Sequence, residues 1–109
     1  MYEPKQNSNA EIQKVIDQPG RNLMFLSADW CGDCKVIKPF VQNIKDVVTK
    51  TANWVDADRD DNLDIATKYG LRGIPSFVLF EDGKKVAQLG HGERLKPQEI
   101  LDWYASTVA

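Results

Sequence analysis

The period of the apolar positions changes several times along this chain, and each change marks an element. Ile12, Val15 and Ile16 recur at helical spacing behind Ser8 or Asn9, either of which can cap a short helix, and Pro19-Gly20 ends it. Asn22-Leu23-Met24-Phe25-Leu26-Ser27 is then apolar almost without interruption over strand length, which predicts a central strand covered on both faces. From Cys34 to about Lys50, the residues Val36, Ile37, Phe40, Val41, Ile44, Val47 and Val48 return to helical spacing, with Pro39 expected to kink the helix. Asn53-Trp54-Val55-Asp56-Ala57 reads as a short strand. An acidic turn (Asp58, Asp60, Asp61) follows it and leads into a helix from about Asn62 to Tyr69, stopped by Gly70. Ser76-Phe77-Val78-Leu79-Phe80 and Lys85-Val86-Ala87-Gln88-Leu89 flank Glu81-Asp82-Gly83-Lys84, a hairpin-length connection that makes the two strands antiparallel. A last helix, from about Lys96 to Thr107, buries Ile100, Leu101 and Tyr104 and tolerates Pro97 in its first turn. The first ten residues give no clear element, because Pro4 argues against a strand there.

Helix, strand, helix, strand, helix, strand, strand, helix is an α/β order. Right-handed crossovers make the first strands parallel, the hairpin adds antiparallel strands at the edge, and helices cover both faces of the mixed sheet. With 109 residues, 42% of them hydrophobic, the chain forms one core and one domain over residues 1–109. It contains no repeat, low-complexity tract or linker.

Charge narrows the function. A net charge of −2 without a basic cluster argues against nucleic acid, which is bound by displacing counterions from phosphates. No run approaches membrane-spanning length, and the polar start, Met1 to Asn9, resembles neither a secretory signal nor a lipid anchor. A monomer in the cytoplasm is the expectation.

The two cysteines sharpen the picture. Both lie in Trp30-Cys31-Gly32-Asp33-Cys34-Lys35, where the first strand meets the second helix, at the carboxyl end of a central strand where functional loops of α/β sheets gather. A disulfide closing so short a loop removes little entropy from the unfolded chain, so stability is a poor reason for the pair. In a reducing compartment a lone Cys-x-x-Cys is catalytic or metal-binding sooner than structural. At a helix N-terminus, free backbone N–H groups and the positive end of the dipole favour the thiolate of Cys31, and Cys34 is one turn away, within reach to resolve a mixed disulfide. His91 between Gly90 and Gly92 invites a metal reading, yet two Cys and one His fall short of a closed four-ligand zinc site.

From about Asn22 onward the chain resembles the thioredoxin family. Ala28-Asp29-Trp30-Cys31-Gly32-Asp33-Cys34-Lys35 matches the family's active-site stretch except at Asp33, and Ile37-Lys38-Pro39-Phe40 matches the segment with its kinking proline. Val55-Asp56-Ala57-Asp58 resembles its third strand. Tyr69-Gly70-Leu71-Arg72-Gly73-Ile74-Pro75-Ser76-Phe77 is similar to the stretch where the family carries a cis-proline facing the cysteines. The resemblance implies a thioredoxin fold and a thiol–disulfide oxidoreductase that reduces protein disulfides through a reversible Cys31–Cys34 pair. It needs no cofactor beyond those sulfurs and is recycled by a flavin-dependent thioredoxin reductase. A redox-silent peptide-binding module is the alternative.

Within that frame Pro75 is expected to be cis, leaving the Ile74 backbone free to pair with an extended substrate segment; otherwise it is a loop proline that sets a strand start. Trp30 is expected to shield the site and contact partners rather than join the core, whereas Trp54 and Trp103 are packing residues. Gly32 and Asp33 belong to the same surface, and Gly90 is expected to let a partner's backbone approach closely.

The sequence departs from the family twice. Six positions before the first cysteine many members carry a buried aspartate that helps the second cysteine lose its proton, and here that position is Phe25. Asp56, at the end of the adjacent strand, is the nearest substitute as proton acceptor, with Asp33 and Asp29 as exposed alternatives; the other reading of Asp56 is a solvated strand end. Asp33 stands where the family usually has proline, and its carboxylate opposes a thiolate and partly offsets the helix dipole.

Overall fold

The computed structural model describes residues 1–109, with elements α1 (Asn9–Ile16), β1 (Arg21–Ser27), α2 (Gly32–Val48), β2 (Asn53–Asp58), α3 (Leu63–Lys68), β3 (Ser76–Glu81), β4 (Lys84–Leu89) and α4 (Pro97–Val108). One mixed sheet runs in the order β2-β1-β3-β4, with β1 parallel to β2 and antiparallel to β3, and β3 antiparallel to β4. The unbroken apolar run of β1 has a two-sided cause. Leu23 and Phe25 join Ile37, Val41, Ile44, Phe77, Leu79 and Ile100 beneath α2 and α4, whereas Met24 and Leu26 join Ile12, Ile16, Ile65, Val78 and Phe80 beneath α1 and α3. Emptying one such position, as in Phe25→Ala, removes about 3–5 kcal/mol because the lost contacts leave a cavity.

The hairpin is not a pair of edge strands. Its first strand, β3, is internal, because Phe77 and Leu79 on one face and Val78 and Phe80 on the other all need cover. Only β4 is an edge of the hairpin, and its exposed Lys84 and Lys85 discourage further strand pairing. Asp82 and Gly83 make the turn with φ of 51° and 82°, the left-handed pair that a two-residue hairpin turn requires.

The helices follow their end signals. Ser8 and Glu11 form a reciprocal capping box on α1, and this contact holds the Glu11 carboxyl below the usual carboxylate range. Pro39 lies inside a continuous α2. Three of the apolar residues assigned to that helix's buried stripe, Val36, Phe40 and Val47, instead face outward, while Lys38 lies in the stripe, 7% exposed. In α4, Ile100 and Tyr104 are buried and Leu101 only half so. No helix is long and apolar enough to cross a membrane.

Residues 1–8 form no strand, yet they belong to the fold. Tyr2 is buried in the cluster beneath α2 and α4, packed edge-on to Phe25 and Trp54 at ring separations of 6.4 Å.

Candidate active site

β1 ends at Ser27, and Ala28-Asp29-Trp30 turns the chain into α2, with the Cys31 N–H donating to the Ala28 carbonyl at 3.2 Å. Cys31 is the N-cap of α2: its backbone is extended, its carbonyl accepts from the Lys35 N–H, and its Sγ accepts from the Cys34 N–H at 3.1 Å. The two cysteines are joined as a disulfide with Cα atoms 5.2 Å apart. Cys34 is fully buried, Cys31 almost so. A thiolate formed at Cys31 would therefore meet the free N–H groups and positive dipole end of α2.

The Ile74–Pro75 bond is cis, and the Ile74 carbonyl oxygen lies 3.8 Å from Cys31 Sγ. Ile74 also packs on the small cluster of Ala28, Cys31 and Cys34. Behind it two loops interlock. Gly73 presses so closely on the backbone of His91 and Gly92 that a Cβ there would collide with it. Gly90 has φ of 96° and is buried, and a Cβ on it would strike the Pro75 carbonyl and crowd the Leu95 side chain. A close backbone approach at Gly90 is made by this chain's own Pro75 and Ser76. His91 is an exposed loop residue whose Nδ1 lies 3.3 Å from Gln88 Nε2.

Trp30 is 64% exposed and donates from Nε1 to Asp60 at 2.6 Å, so the ring is fixed on the surface beside Cys31. Gly32 is exposed with open space around its Cα, and Asp33 is half-buried. Asp33 accepts from Arg94 Nε at 3.1 Å, and Lys38 Nζ lies 3.6 Å from the exposed Asp29 carboxylate.

Asp56 is neither a solvated strand end nor in hydrogen-bond contact with Cys34. It is 4% exposed and accepts from the Tyr2 hydroxyl (2.7 and 2.9 Å to its two oxygens), Trp54 Nε1 (2.9 Å) and the Lys5 N–H (2.9 Å). These three donors hold Asp56 in place, and through it the N-terminal segment is anchored to β2. In return, burial, the hydrogen bond to Asp56 and the charge of Asp56 push the Tyr2 hydroxyl well above the usual tyrosine range.

Sequence reasoning missed Tyr2, Lys38 and Arg94. Lys38 was legible in principle, as a lysine four residues beyond Cys34 on the buried face of α2. Tyr2 and Arg94 meet partners 54 and 61 residues away, and no local pattern carries such a pairing.

A mixed sheet with helices on both faces, carrying a helix-capping Cys-x-x-Cys against a cis-proline loop, defines the class of disulfide-exchanging α/β proteins. Comparison with known proteins narrows the class to a family. The family model described as Thioredoxin matches residues 3–105. Thioredoxin of Oryctolagus cuniculus is 33% identical over 97 residues, spanning 87% of this chain and 91% of that one, and thioredoxin of Homo sapiens is 31% identical with the same coverage. A solved thioredoxin of Halobacterium salinarum superposes with a TM-score of 0.75 at 28% identity, covering 97% of this chain and 88% of that one. The chain belongs to the thioredoxin family and is a thiol–disulfide oxidoreductase with a redox-active disulfide.

Proposed function

We propose that the protein reduces disulfides in other proteins, with Cys31 as the attacking sulfur and Cys34 as the resolving one. The observation that carries this reading is the position of Cys31, at the N-cap of α2 and 3.8 Å from the Ile74 carbonyl. The Cys31 thiolate attacks one sulfur of the substrate disulfide; a Cys31–substrate bond forms, the substrate's own S–S bond breaks, and the released thiolate takes a proton from water. Cys34 then gives up its proton, which the departing substrate thiolate takes up, and attacks Cys31 Sγ. The Cys31–Cys34 bond forms, the second substrate sulfur leaves as a thiolate, and two electrons have passed from the dithiol to the substrate.

Two features support a protein as the substrate. The Ile74-Pro75 backbone beside Cys31 suits pairing with an extended segment, while exposed Trp30 offers an amphipathic contact. The oxidised pair is returned to the dithiol by a thioredoxin reductase, as family membership implies, and no bound cofactor takes part. We place the protein in the cytoplasm as a monomer supporting electron transport and redox homeostasis.

Insulin reduction tests the reading. With dithiothreitol as electron source, the protein should accelerate precipitation of the insulin B chain in proportion to its concentration, and Cys31→Ser should abolish the acceleration. No acceleration by the parent protein would favour the redox-silent binding module.

A further inference from the structure

Asp33 poses a problem for the chemistry at Cys31. It is the second residue of α2, so its carboxylate competes with a Cys31 thiolate for the positive helix end and also repels it directly. Its one hydrogen-bonded partner is Arg94, whose Nε donates to Oδ1 at 3.1 Å. Arg94 comes from the segment joining β4 to α4, and that segment is held in place. Gly90 packs on Pro75, the His91 backbone packs on Gly73, the Glu93 carboxylate accepts the His91 N–H, and Leu95 is buried. None of the other charged groups on the elements around Cys31 forms an ion pair or hydrogen bond with Asp33. Asp29 pairs with Lys38, Asp60 holds Trp30, Glu93 holds His91, and Lys35 makes no ion pair.

We propose that Arg94 is a positioning residue for the redox reaction: by binding the Asp33 carboxylate it offsets that charge and keeps the Cys31 thiolate available. The inference deepens the function above and rests on Cys31 being the attacking sulfur. Both side chains are partly exposed (67% for Arg94, 33% for Asp33), so water screens the pair and its contribution to folding is small. Its effect falls on the thiolate. One unit charge carried on the same helix turn as the sulfur, screened by water, changes the thiolate fraction about two- to fourfold.

The test uses the reduced Cys34→Ser protein, in which Cys31 is the only thiol, titrated by thiolate ultraviolet absorbance and by its alkylation rate with iodoacetamide. Adding Arg94→Gln should raise the Cys31 pKa and slow alkylation near neutral pH about two- to fourfold, whereas Arg94→Lys should restore most of the rate. Asp33→Asn should lower the pKa and remove the response to Arg94→Gln. High salt should shrink the Arg94→Gln effect while Asp33 is present. Two results would overturn the proposal: a titration unmoved by Arg94→Gln, or one moved equally with and without Asp33, which would mean that the guanidinium acts on the sulfur directly. If Cys31 titrated as an ordinary thiol whatever stands at position 94, the fault would lie in its assignment as the attacking sulfur. That result differs from a lowered pKa that merely ignores Arg94.

Discussion

Asp56 and Asp33 are both carboxylates in a protein of one domain, yet their surroundings are opposite. Asp56 lies within β2, 4% exposed, with three donors from Tyr2, Lys5 and Trp54. Asp33 lies at the redox turn, a third exposed, with one donor from Arg94. A buried charge must be satisfied from every side, so its surroundings hold it rigidly and its removal is felt by the whole fold. A screened charge on the surface contributes little to folding and acts through its field on its neighbour. The two carboxylates have separate tasks: the one within β2 holds the N-terminal segment in place, and the one beside Cys31 modulates a sulfur.

The largest effect should follow from breaking the buried side. Asp56→Ala leaves three donors without an acceptor and should cost about 3 kcal/mol in urea unfolding, while the folded protein alkylates Cys31 at the parent rate. Tyr2→Phe keeps the ring packing, removes one donor, and should cost about 1–2 kcal/mol. The same tyrosine gives a pH signature. Because its hydroxyl is raised in the folded state, its contribution is fully present below about pH 10, where the unfolded tyrosine is still neutral, and is lost as pH rises further toward the folded value. The parent protein should therefore lose stability above about pH 10 more steeply than Tyr2→Phe, by circular dichroism at increasing pH. Asp56→Asn sharpens the comparison by kinetics: rapid mixing should find resolution of the mixed disulfide by Cys34 at the parent rate. A slowed second step with an unchanged first step would make Asp56 the proton acceptor after all. The smallest stability effect should be that of Asp33→Asn, within about 0.5 kcal/mol of the parent, although it alters the thiolate as described above.

What could be read from the sequence followed the range of the interactions. All eight elements are visible as periodicity and end signals, since a helix stripe, an Asp-Gly turn and a capping serine are local. Cys31 at a helix N-terminus and Pro75 before a strand were legible for the same reason. The strand order was only partly so. The hairpin looked peripheral because hairpins often are, whereas the apolar faces of Phe77 through Phe80 already required β3 to be covered on both sides. Least legible were Tyr2 on Asp56 and Arg94 on Asp33, each joining residues more than fifty positions apart through polar atoms, which leave no period in the sequence. Read from the sequence, Asp56 is either a proton acceptor for Cys34 or a solvated strand end, since carboxylates are seldom buried. Burial came from a tyrosine in a segment that forms no regular element.

Cys31 attacks and Cys34 resolves in the proposed reaction, and trapping tests that assignment most directly. Reduced Cys34→Ser and Cys31→Ser proteins, each mixed with a disulfide-bonded protein substrate, should differ on non-reducing gels. The Cys34→Ser variant should accumulate a stable mixed disulfide through Cys31, which dithiothreitol releases, and Cys31→Ser should accumulate none. Trapping through Cys34 alone, or equally through both sulfurs, would contradict the account.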